Sequence, residues 1–279
     1  MLFNKNYATK RFLIDKNTDF CGMQLIDTHA HLYVSQFDDD RKEILQNAKN
    51  AHVSHIVLPN IDMQSADALI NLWQSDTSFF TPMMGLHPCS IKDDYKNQLD
   101  SCFTYFEKYL IKIVGEIGLD YYWSVEHKQQ QIDAFRAQIN FAKESKMPIA
   151  VHCREAFDDI LNILEDEQDG NLQGVLHCFS GNEAQAKRLI DINFYLGLGG
   201  VLTFKNSGLD KVIKNIDMKH LVLETDAPYL APKPYRGKRN ETAYIRFVAD
   251  KLAEVKDISL KEVAAVTTHN ASQLFGLEM

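Results

Sequence analysis

From residue 23 onward, short apolar runs alternate with longer stretches in which apolar residues recur every three or four positions. The runs Gln24–Ile26, His55–Leu58, Phe80–Gly85 and Ile111–Gly115 predict strands, as do Pro148–Val151, Gly174–Leu176, Phe194–Leu198 and His220–Leu223. Several are continuously apolar rather than alternating, the pattern of parallel strands covered on both faces. Between them, helical spacing predicts Arg41–Ala51, Ser65–Gln74, His127–Ser145, Phe157–Glu165 and Glu183–Ile192, followed by Ala243–Val255 and Leu260–Leu274. The stripe Gln130, Ile132, Phe135, Ile139 and Ala142 marks a helix packed on a sheet. Eight strand–helix units over about 255 residues match a single-domain (β/α)8 TIM barrel, an α/β fold; a doubly wound open sheet is the competing architecture.

Composition narrows this only slightly. A chain of 279 residues can bury a sizeable core. Its net charge of −8 supplies no bulk field for nucleic acid or anionic membrane, yet leaves room for an enzyme with a locally basic site. No apolar run reaches the roughly 18 residues of a membrane span. The cysteines Cys21, Cys89, Cys102, Cys153 and Cys178 are odd in number and form no Cys-x-x-Cys pair. That points to a reducing, cytoplasmic setting without a disulfide framework. Residues 1–22 carry neither a signal-like apolar core nor helical periodicity, and Met23 stands directly before the first strand. They are expected to be a dispensable extension or a misassigned start, with the functional domain over 23–279.

Chemistry enters at the carboxyl ends of the apolar runs. His29 and His31 follow strand one, two residues apart, so an extended chain would project both imidazoles to one side. Glu116 follows strand four, His152 strand five, His177 strand six and Asp226 strand eight. In a parallel barrel these ends share one face. Any one of the six could be a hydrogen-bonded core residue or a cap. Burying four imidazoles and two carboxylates together is costly unless cations pair them. We assign His29, His31 and Asp226 to one divalent ion and His152 and His177 to another, with Glu116 spanning both. Two such ions about 3.5–4 Å apart can stabilise the attacking and leaving oxygens of a displacement. Mixed nitrogen and oxygen ligands permit zinc, manganese, cobalt or magnesium. Cys153 and Cys178, each beside a candidate ligand, should face away and act as apolar fillers.

The ordered segments Asp27-Thr28-His29-Ala30-His31-Leu32, Gly85-Leu86-His87-Pro88, Gly115-Glu116-Ile117-Gly118-Leu119-Asp120, His152-Cys153-Arg154, His177-Cys178-Phe179-Ser180-Gly181 and Glu224-Thr225-Asp226-Ala227-Pro228-Tyr229-Leu230 together resemble the TatD family of metal-dependent deoxyribonucleases. The resemblance implies a TIM-barrel hydrolase acting on DNA phosphodiesters, often as a 3′→5′ exonuclease on single strands, with the same six ligands. Members have also been linked to deacylation of mischarged transfer RNA. The chain departs from the family pattern at Cys89, where a second histidine often stands, and at Thr242, where a proline is usual. Neither is a ligand position, so substrate contacts alone are affected.

A cation-bound water ionises near neutral pH, and the hydroxide can attack phosphorus or a carbonyl carbon. Asp226 is a candidate general base, and Glu116 shares the catalytic centre. Arg154 could reach a phosphate or pair with Glu155 or Asp158. The loop Lys233–Asn240 carries Lys233, Arg236, Lys238 and Arg239 without an acid; it is either a solvated basic loop or a phosphate-positioning one, with Tyr229 or Tyr235 available to stack on bases. Ser180 before a helix could bind an anion or cap the helix. His87 is a substrate contact or structural, and Glu224 is expected to orient a ligand. Tyr121, Tyr122 and Trp123 form a stacking wall or fill core. The leading expectation is a monomeric DNA phosphodiesterase. The alternatives are a carbonyl-directed hydrolase, such as an aminoacyl-tRNA deacylase or amidohydrolase, and a non-catalytic metal-dependent binding protein. Many amidohydrolases bridge their ions with a modified lysine, whereas strand four here leads into Glu116.

Overall fold

A computed structural model describes residues 22–278. The extension expected over 1–22 therefore lies, apart from Gly22, outside the described residues. Strands and helices alternate in the order β1 (Leu25–Asp27), α1 (Arg41–Asn50), β2 (Val53–Leu58), α2 (Ala66–Ser75), β3 (Phe80–Pro82), α3 (Tyr95–Tyr109), β4 (Val114–Asp120) and α4 (Lys128–Ser145). They continue with β5 (Ile149–Arg154), α5 (Phe157–Glu167), β6 (Gly174–Leu176), α6 (Glu183–Asp191), β7 (Phe194–Leu198), α7 (Leu209–Lys214), β8 (Leu221–Leu223), α8 (Ile245–Lys256) and α9 (Leu260–Phe275). The strands pair in parallel in two arcs, β1-β2-β3 and β4-β5-β6-β7-β8. Parallel bridges Met84–Val114 and Ala30–Ala227 join the arcs into a TIM barrel.

The barrel interior explains which end carries chemistry. Ile26, Val57, Met83, Ile113, Ala150, Val175 and Val222 pack together inside it, and Ala271, Leu274 and Phe275 of α9 pack onto them. Helix α9 thus plugs the amino end, where apolar layers need a lid. Its own end is set by Ser259, whose hydroxyl accepts from Glu262 N–H, and by Gly276 in the left-handed region at φ 64°. The carboxyl end keeps the polar residues.

Two helices, α3 and α7, are not among those the periodicity marks. The buried face of α3 is Tyr95, Leu99, Cys102 and Phe106, interleaved with further aromatics that blur the stripe. Helix α7 spans 6 residues, too few to show a period.

Strand four corrects the sequence reading most. It was expected over Ile111–Gly115 but runs from Val114 to Asp120, so Glu116 lies within the strand and not after it. Ile113 faces the interior, and so does Glu116 three residues on, which regular alternation forbids. A register shift between Val114 and Ile117 supplies the change of face. Gly118, at φ 146°, lies where an added Cβ would sit 2.0 Å from His152 O, so close β4–β5 pairing requires glycine there.

Candidate metal centre

His29 and His31 reach the centre without the extended geometry expected of them, because β1 stops at Asp27. Neighbouring strands pin the following segment instead. Thr28 N–H donates to Leu223 O at 3.0 Å, Ala30 N–H to Val57 O at 3.1 Å and His31 N–H to Ala227 O at 2.7 Å. Asp226 N–H returns to His29 O at 2.8 Å. Asp27 braces this junction by accepting from His29 N–H, Thr225 N–H and the Thr225 hydroxyl. Burial outweighs those bonds and pushes its pKa up to about 7.

Glu116 sits at the middle, 2% exposed. Its Oε2 lies 3.2 Å from His29 Nε2 and 3.5 Å from His31 Nε2. Its Oε1 lies 2.8 Å from His152 Nδ1 and 2.9 Å from His177 Nε2. Asp226 Oδ1 stands on the first side, 3.6 Å from His31 Nε2 and 4.0 Å from His29 Nε2. The two sides touch through the stacked rings of His29 and His177, 3.9 Å apart. The six residues expected together are brought together, and each oxygen of Glu116 addresses a different imidazole pair.

The outer nitrogens show how the rings are oriented. Tyr33 donates its hydroxyl proton to Pro59 O at 2.7 Å, so its oxygen accepts from His31 Nδ1–H at 3.2 Å. The Nε2 lone pair of His31 then points at Glu116 and Asp226. His152 stands between Glu116 and Asp120, whose Oδ2 is 3.0 Å from Nε2. His177 stands between Glu116 and Glu224, whose Oε1 is 3.5 Å from Nδ1. Such outer carboxylates fix a ligand imidazole and raise its basicity. Gly197 makes room for Glu224, since a Cβ there would meet Oε2 at 2.4 Å. His87 differs. Its Nδ1 accepts from Cys89 N–H at 3.0 Å, so its proton is on Nε2, a donor 3.4 Å from Glu116 Oε1. It offers the centre a hydrogen bond rather than a lone pair.

The electrostatics follow from burial opposed by neighbours. Burial disfavours ionised Glu116, yet His177, His87 and His29 outweigh it and hold its carboxyl well below the usual range. Asp226 is likewise lowered against burial, by the neighbouring imidazoles of His31, His177 and His29. Burial and nearby His177 lower the basicity of His29. For His152, the bonds to Asp120 and Glu116 overcome burial and raise it. For His177, Glu116 and Glu224 do the same more strongly. Asp120, opposed by burial, is brought down to about 2 by His152 and Tyr122 N–H. Inward lone pairs facing carboxylate oxygens repel unless a proton or a cation lies between them. This donor set of imidazoles and carboxylates fits divalent cations.

Around the centre the other candidates divide. Neither Glu155 nor Asp158 pairs with Arg154 among the described residues; its guanidinium lies 3.6 Å from the Tyr122 ring centre. Arg239 is engaged by Asp40 and the Gln36 carbonyl, which fastens the basic loop. Arg236 lies 4.4 Å over the Phe204 ring, Lys233 N–H donates to Thr203, and Lys238 stands 6.0 Å from the Tyr235 ring. Ser180 is exposed and is not the cap of α6; Asn182 is, through a capping box with Gln185. Tyr121 is half-buried with its hydroxyl on Asp159, whereas Tyr122 and Trp123 are exposed. Cys153 packs against the core as a filler, while Cys178, at φ 49°, gives its N–H to Glu224.

The sequence reading gave no role to Asp120, Tyr33 or Asn240. Asp120 was legible as the residue four after Glu116 on the same strand face, whereas Tyr33 lies in a turn beyond β1, where strand alternation gives no signal. Asn240, whose Nδ2 donates to Thr225 O and Tyr229 O, had no local signal.

A sequence profile of TatD-related DNases matches residues 26–276. An uncharacterized metal-dependent hydrolase of Bacillus subtilis, YabD, is 38% identical over 90% of this chain and 98% of its own length. The 3′-5′ ssDNA/RNA exonuclease TatD of Erwinia amylovora is 28% identical over 91% of this chain and 100% of its own. The crystal structure of the TatD homolog YJJV from Escherichia coli superposes with a TM-score of 0.86 at 27% identity, covering 91% of this chain and 98% of that one. With that barrel and that cluster of imidazoles and carboxylates, the chain belongs to the TatD family of metal-dependent hydrolases.

Proposed function

We propose that this hydrolase cleaves DNA phosphodiester bonds, removing nucleotides from the 3′ ends of single strands as a cytoplasmic monomer. Two divalent ions would be held by His29, His31 and Asp226 on one side and by His152 and His177 on the other, with Glu116 between them. The observation carrying this reading is the Glu116 carboxylate, whose two oxygens each face a separate imidazole pair. Bound there, the ions supply positive charge over the scissile phosphate and lower the pKa of water.

The chain's own residues supply the rest. Asp226, kept ionised at the edge of the cluster, accepts the proton of the attacking water on its carboxylate. His87 donates its Nε2 proton in a hydrogen bond to a phosphoryl oxygen. Lys233, Arg236 and Lys238 position the phosphates of the strand, while Arg239 secures their loop to Asp40. Ser180 and Arg154 border the same mouth. The basic loop in an acidic chain favours a phosphorylated substrate over a neutral amide, and the exonuclease named among the relatives supports the same choice.

The test offers labelled single-stranded DNA, duplex DNA and an aminoacylated RNA to protein stripped with chelator and reloaded with manganese. Mononucleotides released from 3′ ends, fastest on single strands and abolished by chelator, are expected. Amino-acid release without nucleotide release would instead establish a carbonyl-directed hydrolase.

A further inference from the structure

Beside the centre lies a pair of aromatic rings that the proposed cleavage does not use. Trp123 is 71% exposed and Tyr122 49%, with ring centres 4.8 Å apart and planes at 85°. The Arg154 guanidinium lies 3.6 Å from the Tyr122 ring centre and 5.3 Å from that of Trp123. This group is fastened to the centre. Asp120 and Arg154 are register partners on β4 and β5, and Tyr121 N–H donates to Arg154 O at 3.0 Å. Tyr122 N–H donates to Asp120 Oδ1 at 3.0 Å, while the other oxygen of Asp120 holds His152.

Large apolar faces left in water are unfavourable unless something covers them in use. A cation held over aromatic rings, with no carboxylate partner among the described residues, favours an electron-rich planar group beside an anionic one. A nucleobase attached to its phosphate has both features. We infer that Tyr122, Trp123 and Arg154 form a stacking platform for an unpaired base of the nucleotide bound at the centre. The inference rests on the nucleic-acid reading above and adds the base as a recognised element. Stacking of this kind tolerates any base but requires one, and a base held in a duplex is not free to reach it.

The chain has two tryptophans, Trp73 and Trp123, so Trp73→Phe leaves one indole as reporter. Metal-loaded Trp73→Phe protein is titrated with a phosphorothioate oligothymidylate and with an equally charged strand whose 3′-terminal residues are abasic. Quenching of Trp123 fluorescence by the first and not by the second is expected. Equal quenching by both, or none by either, overturns the platform. In steady-state assays Trp123→Ala should raise KM for oligothymidylate about 5- to 150-fold with kcat retained, the contribution of one stacked base, and leave KM for the abasic-ended strand unchanged. An unchanged KM for the base-bearing strand also overturns it. Failure of the underlying reading looks different, because the wild-type protein then releases nucleotides from no strand at all.

Discussion

Each oxygen of the Glu116 carboxylate addresses a different set of imidazoles, and a glutamine there would present one oxygen and one N–H₂. Glu116→Gln can therefore serve one side only. We expect it to reduce bound manganese from two ions to one or none and to lower turnover by about 100-fold or more, read by elemental analysis and nucleotide release. Two ions retained with near-normal turnover would deny Glu116 its bridging place. His152 and His177 lead to a pH prediction. Burial disfavours their protonated forms, but the carboxylates beside them prevail and raise both above the ordinary value. Entering cations displace those protons, so affinity climbs as pH rises through and above about 6.5. His29, held below its ordinary value, releases none near neutrality. The stability these two rings lend the cation-free protein is present below an unfolded pKa near 6.5 and is lost as pH rises through their folded values. Calorimetry at pH 7 in buffers of different protonation enthalpy should record proton release on manganese binding; none would mean that the rings enter the complex already neutral. At this scale the six clustered residues were legible, because four imidazoles and two acids rarely end apolar runs without a purpose. Tyr33 was not, since its part depends on a carbonyl 26 residues away.

Along the strands, the alternation of faces governs what the sequence can reveal. Ala150 and His152, Val175 and His177, and Val222 and Glu224 are each two residues apart, one packed in the barrel floor and the other facing the centre. Those three strands were readable as apolar runs ending in chemistry. Strand β4 was not, because its register shift changes the inward face between Ile113 and Glu116, and no local pattern announces a bulge. Gly118 is the position that tests this account of β4. A methyl group there would sit 2.0 Å from the His152 carbonyl oxygen, and backbone on both strands would have to move. Gly118→Ala should destabilise the fold by about 3 kcal/mol or more, measured as a lower urea midpoint. An unchanged midpoint would show that the β4–β5 contact is looser than described.

Taken whole, the molecule separates stability from chemistry along the barrel axis. Helix α9 seals the amino end with Leu274 and Phe275, and the polar centre occupies the other. No helix among the described residues is long and apolar enough to cross a membrane, and the four described cysteines are free. The barrel itself was legible because eight repeats of strand and helix leave few ways to arrange a parallel sheet. The engagement of Arg239 by Asp40 was not, because that pair spans 199 positions of sequence and no local rule links them. The central claim concerns the pair of cations and is tested most directly by anomalous diffraction from crystals soaked in manganese. Two peaks about 3.5–4 Å apart, one beside His29, His31 and Asp226 and the other beside His152 and His177, with Glu116 touching both, are the predicted result. A single peak, or two that Glu116 does not join, would contradict the account.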